Sequence, residues 1–216
     1  MKAFIFDLDG VITDSAEYHY LAWKALGEDL GIPFDREFNE TLKGVSRTES
    51  LERILSLGGR EQDFSLEEKE QLATKKNEHY VSLISKITSE DILPGIEVFL
   101  QELKRAGYKI GMASASKNAY MVTKQLGLLD AFDHIVDAAT VAESKPHPEV
   151  FLKAAMALGV EPKECVGVED AVAGVEAIHA AGMFAVGIGD PAVLTEADLV
   201  FTDTTGLTLD NVLARI

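Results

Sequence analysis

Cysteine is almost missing from this 216-residue chain. Cys165 stands alone, so no intrachain disulfide can form and a reducing compartment is expected. No apolar run approaches the ~20 residues needed to cross a bilayer. The apolar start, Met1 to Phe6, stops at Asp7 and is too short for a secretory leader. A cytoplasmic location without membrane attachment is therefore expected. Basic residues are scarce as well: 20 Lys and Arg stand against 36 Asp and Glu, a formal charge of −16. Such a balance speaks against general nucleic-acid binding, which starts from a basic surface, and against docking on anionic lipid. An anionic substrate would need cations that are local and few, because the overall field repels it. Repeats and low-complexity tracts are absent. What remains is 47% hydrophobic and 26% charged, ordinary for a soluble globular protein. The length suits one domain, or one domain with a sizeable insert. A chain of this size buries about 70% of its unfolded surface and needs no staple to fold.

Short apolar runs recur along the chain, each ending in a polar residue. Ala3 to Phe6 runs into Asp7-Leu8-Asp9-Gly10, Tyr108 to Ala113 into Ser114, and His134 to Val136 into Asp137. Cys165 to Val168 ends at Glu169-Asp170, Ala185 to Ile188 at Gly189-Asp190, and Leu199 to Phe201 at Thr202-Asp203. They read as buried strands. Helix-length segments lie between them. Ile96 to Arg105 places Ile96, Phe99, Leu100 and Leu103 at helical spacing. Gly107, Gly127, Gly159 and Gly182 each follow such a segment, where a left-handed residue would end a helix. Alternating strands and helices predict a parallel α/β sheet with helices on its faces. Its ligand should bind beyond the C-terminal strand ends, where Asp7, Ser114 and Glu169 emerge. The stretch from about Ser15 to Ser89 breaks the rhythm: its patterns are helical, with Leu51, Ile54 and Leu55 on one face and Leu72, Leu83 and Ile84 on a longer charged helix beginning near Glu67. So long a helical block exceeds a crossover. It predicts an inserted all-helical cap, 15–88, on a core made of 1–14 and 89–216, with hinges near Thr13–Ser15 and Thr88–Pro94.

Asp7 and Asp9 sit at the end of the first predicted strand. Asp-Gly is a common turn pair, but strand alternation would aim both carboxylates the same way. Converging carboxylates need a cation between them or a proton on one. Glu169-Asp170 is a second such pair, although Asp170 also suits the N-cap of a helix starting at Ala171. Three or four carboxylates facing one cleft make an oxygen site of the kind Mg²⁺ prefers. Ser114 at another strand end, with Lys145, offers a hydroxyl and an ammonium for a phosphate oxygen. Lys145 read alone is an ordinary surface lysine.

Asp7-x-Asp9-Gly10, then Ser114, then Lys145-Pro146, then Glu169-Asp170 resemble the four motifs of the haloacid dehalogenase superfamily, whose core is a parallel Rossmann-like sheet. The helical block resembles the cap that follows the first motif. The likeness spans essentially the whole chain. Dehalogenases of the superfamily lack the second aspartate, so Asp9 points to phosphoryl transfer. The segments Leu42-Lys43-Gly44-Val45-Ser46-Arg47 and Ala113-Ser114-Ala115-Ser116-Lys117-Asn118 are similar to those of its sugar-phosphate mutases.

The resemblance implies interconversion of glucose 1-phosphate and glucose 6-phosphate through a phosphorylated aspartate and a bisphosphate. Asp7 is then the nucleophile and Asp9 the general acid and base, with Ser114 and Lys145 on the transferring phosphate. Mg²⁺ would be held by Asp7, the backbone carbonyl of Asp9 and Asp170, with Glu169 close by. Arg47 and Ser116-Lys117-Asn118, flanked by Ala115, would hold the other phosphate. Thr13, His19, Trp23, Leu42, Lys43, Gly44, Val45, Ser46, Ser50, Lys76 and Asn77 would close over the sugar. Trp23 and His19 also suit packing inside the cap. His147, where relatives carry a small or acidic residue between two prolines, has no assigned role. Small sugar phosphates are the expected partners, and a monomer is expected. A sugar-phosphate phosphatase shares every core motif and differs in letting water attack. A non-catalytic phosphate-binding protein would need neither Asp7 nor Asp9.

Overall fold

The computed structural model describes all 216 residues. Six parallel strands form one sheet: β1 (Ala3–Phe6), β2 (Lys109–Met112), β3 (His134–Ile135), β4 (Cys165–Glu169), β5 (Phe184–Ile188) and β6 (Leu199–Phe201). Their order is β3-β2-β1-β4-β5-β6, which puts β1 and β4 at the centre. All four residues of β1 are buried, and they divide by alternation. Phe4 and Phe6 face α5 (Ile96–Arg105), meeting the Phe99 ring edge-on at 5.6 and 5.9 Å. Ala3 and Ile5 face a second cluster built from α7 (Glu149–Leu158) and α8 (Val172–Ala180). With α6 (Ala119–Gln125) on the α5 side, helices cover both faces, as a parallel sheet requires. Gly107, Gly127, Gly159 and Gly182 take positive φ, as their places after helices predict. No helix is long and apolar enough to cross a membrane.

Between β1 and α5 lie four helices and no strand: α1 (Ala16–Leu30), α2 (Arg36–Glu40), α3 (Arg47–Leu57) and α4 (Leu66–Ile84). Trp23, Leu26, Ile32, Phe34, Leu51, Ile54 and Leu55 form their own apolar cluster. Ala22, Tyr80 and Ile84 instead join the cluster under the sheet, so α1 and α4 also seal the core. The start of α4 is fixed by a capping box. Ser65 Oγ accepts from Glu68 N at 3.3 Å, and Glu68 Oε2 accepts from Ser65 N at 2.8 Å.

Both chain crossings to this helical block run side by side. Thr13 pairs with Asp9 and, antiparallel, with Ile92. Leu93 N donates to Ile12 O at 2.9 Å. The Thr13 hydroxyl donates to Asp91 O at 2.7 Å. Thr13 thereby ties the two crossings together.

Candidate active site

The register Phe6↔Val168 brings the ends of β1 and β4 level, so Asp7 emerges beside Glu169 and Asp170. Carboxylate oxygens of these three residues lie within 4.8 Å of one another. Asp170 is not the cap of the next helix: Ala171 holds that position and α8 begins at Val172, which leaves the Asp170 side chain to the cleft. Lys145 is fully buried among them. Its Nζ donates to Asp7 Oδ1 at 2.6 Å and to Glu169 Oε1 at 3.0 Å. Burial works against the ammonium, but Asp7 and Glu169 outweigh it and hold its pKa above the ordinary value. Two glycines make the cluster possible. A Cβ at position 174 would lie 1.8 Å from Glu169 Oε1, so α8 can pass behind that carboxylate only with Gly174 there. Gly10 takes φ +79°, and a Cβ on it would lie 2.4 Å from Asp170 Oδ2.

Asp9 is placed by a turn and not by strand alternation, which corrects the sequence expectation. β1 stops at Phe6, and the chain folds back so that Asp9 N donates to Asp7 Oδ2 at 3.0 Å. The Asp9 carboxylate turns away to accept from the Ser15 hydroxyl and lies 3.8 Å from His19 Nε2. The carboxylate cluster therefore has three members, and only the backbone of Asp9 is left to it. Burial, with Asp7 nearby, raises the Asp9 carboxyl to about 6. Burial is also the main cause that raises Asp170 to about 7 and Glu169 well above the usual range. One lysine does not neutralise these groups. An oxygen-rich, under-compensated cluster fits a hard cation.

The helical block supplies the opposite wall of a cavity of about 870 Å³. Lys76 is buried there without a carboxylate partner. Its Nζ sits 2.8 Å from His19 Nδ1 and over the rings of Trp23 and Tyr80 at 4.5 and 4.9 Å. Burial, then Arg47, lowers Lys76 to about 7. Burial, then Lys76 and Arg47, holds His19 well below its ordinary value. His19 stacks on Tyr80 at 3.9 Å. Asn77 Oδ1 accepts from Arg47 Nη2 at 2.8 Å and from Asn118 Nδ2 at 2.9 Å, which ties α4, α3 and the loop after β2 together. Lys43 Nζ reaches 3.5 Å from Asp170 Oδ2.

Most residues singled out from the sequence share this cavity. Asp7, Asp9, Ser114, Lys145 and Asp170 line it from the sheet side, with Ala115, Ser116, Lys117 and Asn118 beside them. His19, Trp23, Leu42, Lys43, Gly44, Val45, Ser46, Arg47, Ser50 and Lys76 line it from the helical side. Trp23 both packs and lines, at 3% exposure. Thr13, Asn77 and Glu169 do not reach the cavity wall. Thr13 belongs to the hinge, Asn77 braces Arg47, and Glu169 stands behind Lys145. His147 accepts from Glu149 N at 3.3 Å through Nδ1, a cap on the first turn of α7. Ala16, Asn39, Thr48, Glu49, Glu52, Val150 and, from the loop before α7, Ala138, Ala139 and 141–144 also stand on the cavity wall, beyond what the sequence singles out. Nothing in their local pattern marks them. Ser15 lies behind the wall, fully buried, and has a local signal: a small hydroxyl residue just before a helix, six residues after Asp9, can reach back to it.

The sheet, its flanking helices and the strand-end carboxylates are those of the haloacid dehalogenase-like hydrolases, whose profile matches residues 1–182. The chain belongs to that family. Within it, the chain is similar to the β-phosphoglucomutase of Bacillus subtilis, with 54% identity over 210 residues covering 97% of this chain and 93% of the relative. The crystal structure of β-phosphoglucomutase from Clostridium difficile superposes with a TM-score of 0.98 at 52% identity, covering 100% of this chain and 96% of the other. A fructose-1-phosphate phosphatase of Escherichia coli is 33% identical over 184 residues, covering 85% of this chain and 94% of that protein.

Proposed function

We propose that this protein interconverts β-glucose 1-phosphate and glucose 6-phosphate. The observation that carries the reading is the second cationic wall: Arg47, held by Asn77, and Lys76, held by His19, stand across the cavity from Asp7. A monophosphate phosphatase has no use for it. A mutase must hold one phosphate there while the other is transferred at Asp7. The similarity to two β-phosphoglucomutases supports the same reading.

In the cycle, an oxygen of phosphorylated Asp7's partner sugar attacks phosphorus. The 6-hydroxyl of β-glucose 1-phosphate forms the new O–P bond, its proton passes to the Asp9 carboxylate, and the bond from phosphorus to Asp7 breaks. The resulting glucose 1,6-bisphosphate rebinds with its phosphates exchanged. An Asp7 oxygen then attacks the phosphorus at C1, the sugar O–P bond breaks, and Asp9 returns its proton to the leaving oxygen, which releases glucose 6-phosphate. Raised to about 6 by burial and Asp7, Asp9 can both take and give a proton near neutral pH. Ser15 and His19 orient it. Lys145 and Ser114 face the transferring phosphate, and the fork of Arg47 suits the other. Asp7, Asp170 and the Asp9 carbonyl would hold Mg²⁺, with Glu169 behind. When bound, the ion offsets the charge of carboxylate and phosphate so that they can meet. All these groups come from one chain, which suits a monomer.

The test is β-glucose 1-phosphate with a trace of glucose 1,6-bisphosphate and Mg²⁺. Glucose 6-phosphate as the main product supports the mutase; free phosphate with glucose would make the protein a phosphatase. Asp7→Asn should abolish both products while leaving the circular dichroism spectrum unchanged. Turnover near the wild-type rate in that variant would end the covalent mechanism.

A further inference from the structure

Ser46-Arg47-Thr48-Glu49 has the sequence pattern of a capping box, the same pattern as Ser65 to Glu68. At α4 the box is complete. At α3 half of it is missing. Ser46 Oγ accepts from Glu49 N at 3.3 Å, but the Glu49 carboxylate is turned away from Ser46. Glu49 Oε1 is held by Arg53 Nη2, one turn along α3. Its Oε2 accepts from the hydroxyl of Ser144 at 2.6 Å, across the cavity and 95 residues away. A local stabilising bond has been exchanged for one that exists only while α3 lies against the loop before α7.

That loop carries Lys145. From the sheet side it is gripped by Glu149, whose carboxylate accepts from Ala142 N at 3.0 Å and from Glu143 N at 2.9 Å. From the helical side it is gripped by Glu49. Glu49 lies two residues after Arg47, and Ser144 directly precedes Lys145. A single hydrogen bond thus joins the element bearing the distal phosphate's arginine to the element bearing the transferring phosphate's lysine.

We propose that Glu49 and Ser144 form a latch between cap and core that sets the separation of the two phosphate sites and holds water out of the closed cleft. The inference rests on the mutase reading for its kinetic consequences. Glu49 is a positioning residue: it acts through Arg47 and Ser144 and touches no reacting atom.

The experiment compares wild type with Glu49→Ala, Ser144→Ala, the double variant and Ser144→Thr. Each alanine variant should lower mutase kcat/KM by about tenfold, the scale of losing a partly solvated bond to a charged acceptor. The double variant should lose no more than either single one, because both remove the same bond. Ser144→Thr keeps a hydroxyl and should retain most activity. Free phosphate released per mutase turnover should rise in the alanine variants. A defect in folding alone would not move that partition. Small-angle scattering with saturating inorganic phosphate and Mg²⁺ should give a larger radius of gyration for the alanine variants. Unchanged scattering, or single losses that multiply in the double variant, would overturn the latch. Scattering uses no sugar phosphate, so a wild-type protein that failed as a mutase would sink the function while scattering still decided the latch.

Discussion

The two walls of the cavity are unbalanced in opposite senses. On the sheet side, Asp9, Glu169 and Asp170 all have pKa values raised by burial, with one lysine among them. On the helical side, Lys76, Arg47 and His19 all have theirs lowered by burial. The fold brings too many acids to one wall and too many bases to the other, and it keeps them apart. Asp9 and His19, 3.8 Å apart, and Lys43 and Asp170, 3.5 Å apart, are where acids of the sheet side and bases of the helical side come nearest. Each wall lacks a counter-charge that a ligand can supply: a cation for the acids, a phosphate for the bases. The charges of the two walls are thus complementary to a ligand that carries both, and such preorganised charge is what turns binding energy into orientation.

Removing the proton carrier tests the acidic wall most severely. Asp9→Asn should still bind sugar phosphate, but transfer between sugar and Asp7 should slow by about 10²–10⁴-fold, the usual worth of general acid–base catalysis. Single-turnover phosphorylation of the protein by glucose 1,6-bisphosphate measures it. A normal rate would reassign Asp9 to structure.

Arg47→Ala tests the basic wall. Mutase turnover should fall by about 10- to 100-fold, since a hydrogen bond to a charged group inside a closed site is lost. Hydrolysis of acetyl phosphate should barely change. If the two rates fall together, or neither moves, the walls do not divide the phosphates as described.

The smallest effect reads the imbalance through stability. Lys76 is lowered to about 7 from an ordinary 10.5, first by burial and then by Arg47. Between those values the unfolded chain binds more protons than the folded one, so stability rises with pH there. Below about pH 7 the full penalty of a buried, unpaired ammonium remains. Lys76→Met should therefore melt several degrees above wild type near pH 6, and the gap should close towards pH 10. A gap independent of pH would assign the effect to shape and not to charge.

The acidic wall was largely legible in the sequence. Asp7, Ser114, Glu169 and Asp170 each follow a short apolar run, so chain-local pattern and the rules of parallel sheets place them together. Lys145 is suggested by its pairing with Ser114 beside the carboxylates, whereas the helical wall comes into view only through the resemblance to the haloacid dehalogenase superfamily, because Lys76, Arg47 and Trp23 look locally like ordinary helix residues. Asp9 was aimed wrongly because alternation was extended past the last residue of the strand. The resemblance implies Thr13 as a sugar contact, but its hydroxyl donates to Asp91 O, 78 residues away, a tertiary contact that no local pattern shows. Glu49 was invisible for a related reason: its neighbours explain it as a cap, and Ser144 is a contact of tertiary structure alone.

The pairing of Thr13 with Ile92 makes the helical block a long loop on a two-strand stem. Its two ends leave the sheet at one point, so the core's strand register is indifferent to what hangs between them. The block is nonetheless not free of the sheet, because Ala22, Tyr80 and Ile84 pack into the apolar cluster beneath it. Stem and packed helices together act as a joint: the stem fixes where the block leaves the core, and the apolar contact fixes which way its cationic wall faces.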